Sequence, residues 1–276
     1  MSKINTKQKK IGVGIVTCNR EHFFEKCINS ILPACSYVDE LVVVNDGLKL
    51  TKDYKDATFI QNTTNLHVGA SKNILMTTLL DLGCDYIFTL EDDVMVTDSD
   101  IFEHYINTSL ATGIQHFNFG FSQRENLNSD LKPIYRKIVE YKDNIKIVLT
   151  KNILGAFTFY TRSALQTIGL HHHLFNKGHG DHLELTYRAA KHGFTTPFWW
   201  FADIYGSWNM LHNLSDFITD STVRDVNTFQ EHFNDARNTF KALHGQDIFA
   251  VPEATEQEVI QYLKQQTICQ IPVKLE

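Results

Sequence analysis

Short apolar runs alternate with helix-like stretches from residue 11 to residue 90, and this order restricts the fold more than any other feature of the chain. Ile11 to Thr17 is an apolar run of strand length, and Glu21 to Leu32 follows with Phe24, Cys27, Ile28 and Ile31 at helical spacing before Pro33. Leu41 to Asn45 reads as a second strand and Ala57 to Gln61 as a third. Gly69 to Leu82 has Ile74, Leu75, Leu79 and Leu82 spaced for one buried helical face, with Gly83 as its stop, and Tyr86 to Leu90 reads as a buried strand. Strands and amphipathic helices in this succession predict an α/β fold, a mostly parallel sheet covered by helices on both faces.

Ligands of such sheets bind at the carboxyl ends of the strands. Three predicted strands end in polar clusters, Thr17-Cys18-Asn19-Arg20, Asn45-Asp46-Gly47 and Glu91-Asp92-Asp93, and the site is expected there. Beyond Asp93 the pattern changes. Ser99 to Ser109 reads as a helix, Gln115 to Phe121 and Leu154 to Tyr160 as strands, and Ile134 to Tyr141 with Ile145 to Thr150 as a hairpin around Lys142-Asp143-Asn144. Asp181 to His192 reads as a helix closed by Gly193, and two helical stretches follow from about Asn227, the second opened by a capping box at Thr255 and Glu258.

The 43% hydrophobic and 21% charged residues among 276 exclude a disordered or fibrous chain. A net charge of -6 argues against a broad nucleic-acid-binding face and leaves a local one open. Five cysteines without paired-ligand spacing point to a reducing, cytoplasmic compartment. The lysine-rich segment 1–10 reads as a flexible basic arm or as a contact for an anionic surface; the apolar run after it is too short for a membrane span.

Three successive carboxylates, Glu91-Asp92-Asp93, after a strand that is otherwise apolar need a compensating charge. A hard divalent cation such as Mg²⁺ or Mn²⁺ prefers oxygen ligands, and a diphosphate would complete its shell. The alternative is an acidic turn that caps the next helix.

At this point several segments, in order, resemble the family 2 glycosyltransferases of the GT-A (Rossmann-like) fold: GIVTCNR at Gly14 to Arg20, VVVNDG at Val42 to Gly47, GASKNIL at Gly69 to Leu75 and LEDDV at Leu90 to Val94. The resemblance spans roughly residues 11–200 and implies transfer of a sugar from a nucleotide donor, a UDP-sugar favoured, to an acceptor. It implies that Thr17 and Asp46 line the nucleoside pocket, with Asp46 accepting a hydrogen bond from a pyrimidine, and that Asn19 and Arg20 belong to the same donor-binding loop. Lys72 would meet base or phosphate, Glu91 or Asp92 the ribose, donor sugar or metal-bound water, and Asp93 would be the principal ligand of Mn²⁺ or Mg²⁺. Glu91 and His212 are further metal candidates. The expected division is a GT-A catalytic domain over 11–225, its nucleotide-binding half 11–97 and acceptor-binding half 98–225, followed by a helical extension over 226–276.

A second constellation, Gly178-His179-Gly180-Asp181-His182-Leu183-Glu184 leading to Arg188, resembles the family's later E-D-x-D/E segment. Asp181 and His182 stand in place of the Glu-Asp pair, and Glu184 at the following acid. An inverting transferase needs a group that removes the acceptor hydroxyl's proton. Asp181 is the first choice and Glu184 the second, while His182 is left to bind metal, orient the acceptor or act as base. Plainer readings exist for each: Asp181 as a helix N-cap, Glu184 with Arg188 as an i,i+4 ion pair, and His171-His172-His173 as solvated surface. Trp199 and Trp200, if in a strand, face opposite ways, one into the core and one toward the acceptor.

The acceptor stays open among saccharide, protein, lipid-linked glycan and modified nucleic-acid base. A nucleotidyltransferase, a glycoside hydrolase using Asp181 and Glu184, and a non-catalytic carbohydrate-binding protein are the competing expectations.

Overall fold

A computed structural model describes residues 9–121, 124–175, 179–214, 228–266 and 274–275. The first eight residues of the basic arm, Gly178 of the second constellation and parts of the expected C-terminal extension lie outside the described residues.

The expected alternation is present: β1 (Ile11–Thr17), α1 (Glu21–Ile31), β2 (Glu40–Asn45), β3 (Thr58–Gln61), α2 (His67–Asp81) and β4 (Tyr86–Glu91). After β4 come β5 (Val94–Val96), α3 (Ile101–Thr112), β6 (His116–Asn118), β7 (Lys137–Glu140), β8 (Lys146–Thr150), β9 (Phe157–Thr161), α4 (Arg162–Ile168) and α5 (Asp181–Lys191). The chain closes with β10 (Phe201–Ile204), α6 (Ser207–Met210), β11 (Leu211–Asn213), α7 (Phe229–His244) and α8 (Glu256–Gln266).

The central sheet has six strands in the order β3-β2-β1-β4-β9-β6. The first four run parallel, β9 is antiparallel to β4, and β6 is antiparallel to β9. β10, β8 and β7 form an antiparallel second sheet with Lys274–Leu275, and β11 pairs with β5.

Alternation along β1 builds both faces. Val13 and Ile15 join Phe24, Cys27 and Ile28 of α1 and Phe102 of α3 on one side. Val42 and Val44 of β2 join Leu75 and Leu79 of α2 and Leu185 of α5 on the other. Gly12 and Gly14 are the residues of β1 that α2 covers. A Cβ at Gly14 would stand 2.2 Å from Leu75 Cδ2, and one at Gly12 2.6 Å from Cys84 Sγ. Bare backbone therefore lets α2 press onto the middle of the sheet, and this brings the polar residues at its first turns over the strand ends.

The first α-helix ends at Ile31, before Pro33 as expected, and a 3₁₀ turn over Leu32–Ser36 follows it; a proline in the first turn of a new helix removes no needed donor. Several local expectations change. The strands expected at Gln115 and Leu154 begin later, at His116 and Phe157. The segment before β9 is drawn off the sheet at Gly155, whose carbonyl accepts from Lys72 Nζ at 2.7 Å. Trp199 has φ of +71° and belongs to a turn before β10. Trp199 packs on the cluster around Phe198 and Phe201 and lines a cavity, Trp200 lies in the main core, and their Nε1 atoms donate to Val251 O and Ala254 O. The hairpin and the capping box are as expected: Asp143 and Asn144 both take φ of 58°, and Thr255 and Glu258 exchange hydrogen bonds. Among the described residues no helix is long and apolar enough to cross a membrane.

Gly14→Val should destabilise the protein by about 1–3 kcal/mol, since the added methyl groups meet a packed core on the sheet's inner face. Urea unfolding followed by circular dichroism checks this, and an unchanged midpoint would show that α2 does not depend on the bare strand.

Candidate active site

Because β1, β2 and β4 are adjacent and parallel, with Thr17 opposite Asn45 and Val16 opposite Glu91, their polar ends meet in one corner. Asp92 is buried there, accepting from Thr17 Oγ1 at 2.7 Å and paired with Arg20 Nη2. Arg20 Nη1 reaches Asp93 Oδ2 at 3.1 Å. Burial pushes the Asp92 carboxyl up to about 7 although Arg20 opposes the shift. The two neighbouring carboxylates in turn hold Arg20 more firmly protonated against the cost of its own burial.

Asp46 is tied through Oδ1 to Asn62 Nδ2 at 2.7 Å and to the Leu66 amide at 2.8 Å. Asn19, at φ of 57°, accepts from the Leu48 amide and lies so close to Gly47 that a Cβ there would stand 2.4 Å from its Oδ1. Asn19 thus locks the loop after β1 to the loop after β2. Between these loops opens a cleft of about 350 Å³ lined by Thr17, Arg20, Asp46, Ser71, Glu91 and His232.

Lys72 is the centre of a second cluster. Its side chain is only 2% exposed, and Nζ donates to Glu91 Oε1 at 2.6 Å and to Gly155 O at 2.7 Å. Burial alone would raise Glu91, but the charge and hydrogen bond of Lys72 outweigh it and hold the carboxylate below its usual range. Asp181 follows Gly180, which takes the left-handed cap position of α5, so Asp181 is the first helical residue and not the cap. Its Oδ1 lies 3.5 Å from His182 Nδ1 and its Oδ2 3.8 Å from His171 Nδ1. Burial opposes ionisation of Asp181, yet the hydrogen bond from His182, the neighbouring His171 and the charge of Lys72 hold it well below the carboxylate range. His182 lines a second cavity of about 370 Å³ whose walls include Phe175, Trp199, Phe229, Phe233 and Phe249.

Two groups of the expected residues therefore form, one of Thr17, Arg20, Asp92 and Asp93 and one of Lys72, Glu91, Asp181 and His182. Glu184 belongs to neither: it is buried in a double hydrogen bond with Arg188, at 2.8 Å each, and meets His244 Nε2 at 3.0 Å. His212 is exposed on β11 opposite Met95, two residues before the Leu214 amide that donates to Asp93 O. Among the described residues no three His, Cys, Asp or Glu side chains gather as a metal-binding group. His171 is buried against Asp181, contrary to the expected solvated triplet, because Asn73 grips its backbone on both sides, Nδ2 to His171 O and Oδ1 from His171 N, each at 2.8 Å. Only His172 and His173 keep solvent contact. The asparagine after Lys72 was the one sequence signal that could have pointed to it.

The family described as glycosyl transferase family 2 matches residues 12–169, more than half of the chain, and the chain belongs to that family. No curated protein matches it in sequence. Among solved structures, S. aureus TarS 1-349 in complex with UDP-GlcNAc is 14% identical, with a TM-score of 0.53 over 93% of this chain and 71% of that one. S. aureus TarS 1-349 alone gives 13% identity and a TM-score of 0.50 over 94% and 81%. These two matches speak for the fold, which is GT-A. In the UDP complex of TarS 1-349, 16% identical with a TM-score of 0.48, the match covers 66% of this chain and 55% of that one. Against S. aureus TarS the match covers 33% of that chain, so in these last two matches this chain spans between a third and about half of the relative's length.

Burial pushes His116, at the edge of the sheet beside α5, and His171 from 6.5 down to about 4. The unfolded chain then binds protons on both rings at higher pH than the folded chain does. The contribution of these two rings to stability should be full above about pH 6.5 and fall as the pH drops toward 4, by about 3 kcal/mol per ring at the lower limit, while Asp92, raised to about 7, contributes with the opposite sign. Denaturant midpoints from pH 7 to pH 4 measure this slope, and His116→Asn should flatten it.

Proposed function

We propose that this chain is a glycosyltransferase that moves a sugar from a nucleoside diphosphate donor, a UDP-sugar by preference, to an acceptor hydroxyl. One observation carries the reading. Glu91 lines the polar cleft, His182 lines the aromatic cavity, and the buried Lys72 and Asp181 link the two. A donor in the cleft and an acceptor in the cavity would meet across this cluster. The nucleotide half is 11–97, the acceptor half 98–225, and the extension over 226–276 supplies part of the cavity wall through Phe229 and Phe233 of α7.

In the cleft, Thr17 and Asp46 hold the nucleoside, Asp46 accepting the pyrimidine N–H through the oxygen not used by Asn62 and Leu66. Arg20 and Lys72 provide positive charge toward the diphosphate. The donor set suits a hard cation completed by substrate. Asp92 has both oxygens engaged by Thr17 and Arg20, Glu91 Oε1 meets Lys72 and Asp93 Oδ2 meets Arg20; as the family resemblance implies, the chain would hold Mn²⁺ or Mg²⁺ through Asp93, phosphate oxygens and water supplying the rest. Such an ion, when bound, neutralises charge on the departing diphosphate.

The acceptor ring rests against the aromatic walls of the cavity, where flat apolar faces stack well on sugar rings. Its hydroxyl loses a proton to the Asp181–His182 pair as the oxygen attacks the anomeric carbon from the side away from the diphosphate, which inverts that centre. Arg188 and Glu184 hold α5 in place and take no part in the proton transfer. The thiols of Cys18, Cys27 and Cys84 are free, in keeping with a cytoplasmic enzyme.

Incubation with UDP-glucose, UDP-galactose or UDP-GlcNAc and Mn²⁺ should release UDP, faster with methyl glycosides present. Asp93→Ala should reduce release on the order of 100-fold while the fold persists. Release of pyrophosphate, or glycoside cleavage without nucleotide, would overturn the reading.

A further inference from the structure

We infer that His182 takes the acceptor's proton and that Asp181 is the positioning carboxylate of a His–Asp pair, an assignment that rests on the transferase reading above. The geometry separates the two residues. The Asp181 side chain is 3% exposed and lies behind His182, whose side chain is 18% exposed and lines the aromatic cavity. A group that removes a proton must come within hydrogen-bond reach of the hydroxyl that carries it, and of the pair only His182 borders the space where an acceptor fits.

The ring is also oriented for this task. Its Nδ1 is turned to Asp181 Oδ1 at 3.5 Å, so the proton-accepting lone pair is that of Nε2. A carboxylate on one imidazole nitrogen fixes the tautomer and stabilises the cation formed when the other nitrogen is protonated. Asp181 is itself held. Its main-chain oxygen lies 3.2 Å from His171 Nδ1, its Oδ2 faces the same nitrogen at 3.8 Å, and Asn73 fixes His171 from α2. The low proton affinity of Asp181, which the hydrogen bond from His182 and the charge of Lys72 favour, suits a positioning anion. Glu184 is already committed to Arg188 and His244.

The step balances without further reactants. The acceptor O–H bond breaks and its proton goes to Nε2; the oxygen's electron pair forms the bond to the anomeric carbon. The bond from that carbon to the diphosphate oxygen breaks with its electrons leaving on the nucleoside diphosphate, and the imidazolium returns its proton to solvent.

Several charged groups bear on the His182 ring. Asp181 lies beside it on α5, His171 before α5, Lys72 on α2 and Glu91 on β4; Lys151, Glu125, His179 and Arg237 stand on the cavity walls. The test uses UDP release from UDP-sugars with Mn²⁺ and methyl glycosides, across pH, together with calorimetry of UDP. His182→Ala should lower kcat on the order of 100-fold or more with UDP affinity unchanged, and added imidazole should restore part of the rate. Asp181→Asn should keep measurable turnover and move the acidic limb of the kcat/KM profile to lower pH, because the imidazolium loses its anion. A His182→Ala enzyme as fast as the unmodified one, or an Asp181→Asn enzyme that is dead while His182→Ala is not, would overturn the assignment and return the base to Asp181. A chain that neither binds UDP nor releases it would fail the transferase reading itself, a result the calorimetry distinguishes.

Discussion

A fully buried ammonium group governs this molecule. An unpaired cation in the interior is prohibitively costly, so Lys72 must have an anion and polar oxygens around it, and the chain provides Glu91 at the end of β4 and the carbonyl of Gly155 before β9. Those two partners come from segments far apart in sequence. Once they close on Lys72, the end of the parallel sheet, the entry to β9 and the start of α2 are held in one place. The residues on either side of Lys72 extend the arrangement: Ser71 Oγ accepts from Asn62, which also binds Asp46, and Asn73 grips His171 behind Asp181. A single helical turn thus connects the polar cleft to the aromatic cavity. The bare backbone of Gly12 and Gly14 is what lets that turn sit so low on the sheet.

The carboxylates of the site show how environment divides one chemistry into several roles. Asp92, desolvated and shared between Thr17 and Arg20, is driven toward neutrality, and it braces the corner. Asp181 is buried as well and Glu91 is partly covered at the cleft; the charge and hydrogen bond of Lys72 hold Glu91 ionised, and the hydrogen bond from His182 together with the charge of Lys72 does the same for Asp181. Asp93, buried next to Asp92, meets Arg20 through Oδ2. Four acids of similar intrinsic acidity are thus set in different electrostatic environments by burial and neighbours alone.

Much of the architecture was legible beforehand because it is written in local periodicity. Apolar runs of strand length, the helical spacing of Leu75 and Leu79, the left-handed turn at Asp143-Asn144 and the reciprocal bonds of Thr255 and Glu258 all depend on residues close in sequence. The strand-end clusters were legible for the same reason, since a parallel sheet places the ends of β1, β2 and β4 side by side whatever else the chain does. The expectation failed where a distant contact overrode a local signal. The start of β9 is pulled away by Lys72, the Trp199 turn is pinned by the loop before α8, and His171 is drawn under cover by Asn73.

The sequence by itself determined the α/β order, the family and the corner in which the polar residues meet, because periodicity and motif are properties of neighbouring positions. Only the tertiary structure decided that Glu184 is spent on Arg188 and His244. It alone also set His182 at the wall of an aromatic cavity with Asp181 behind it, and made α7 part of that wall. These outcomes turn on which side chains are desolvated together, and desolvation is fixed by segments tens of residues apart closing on one another.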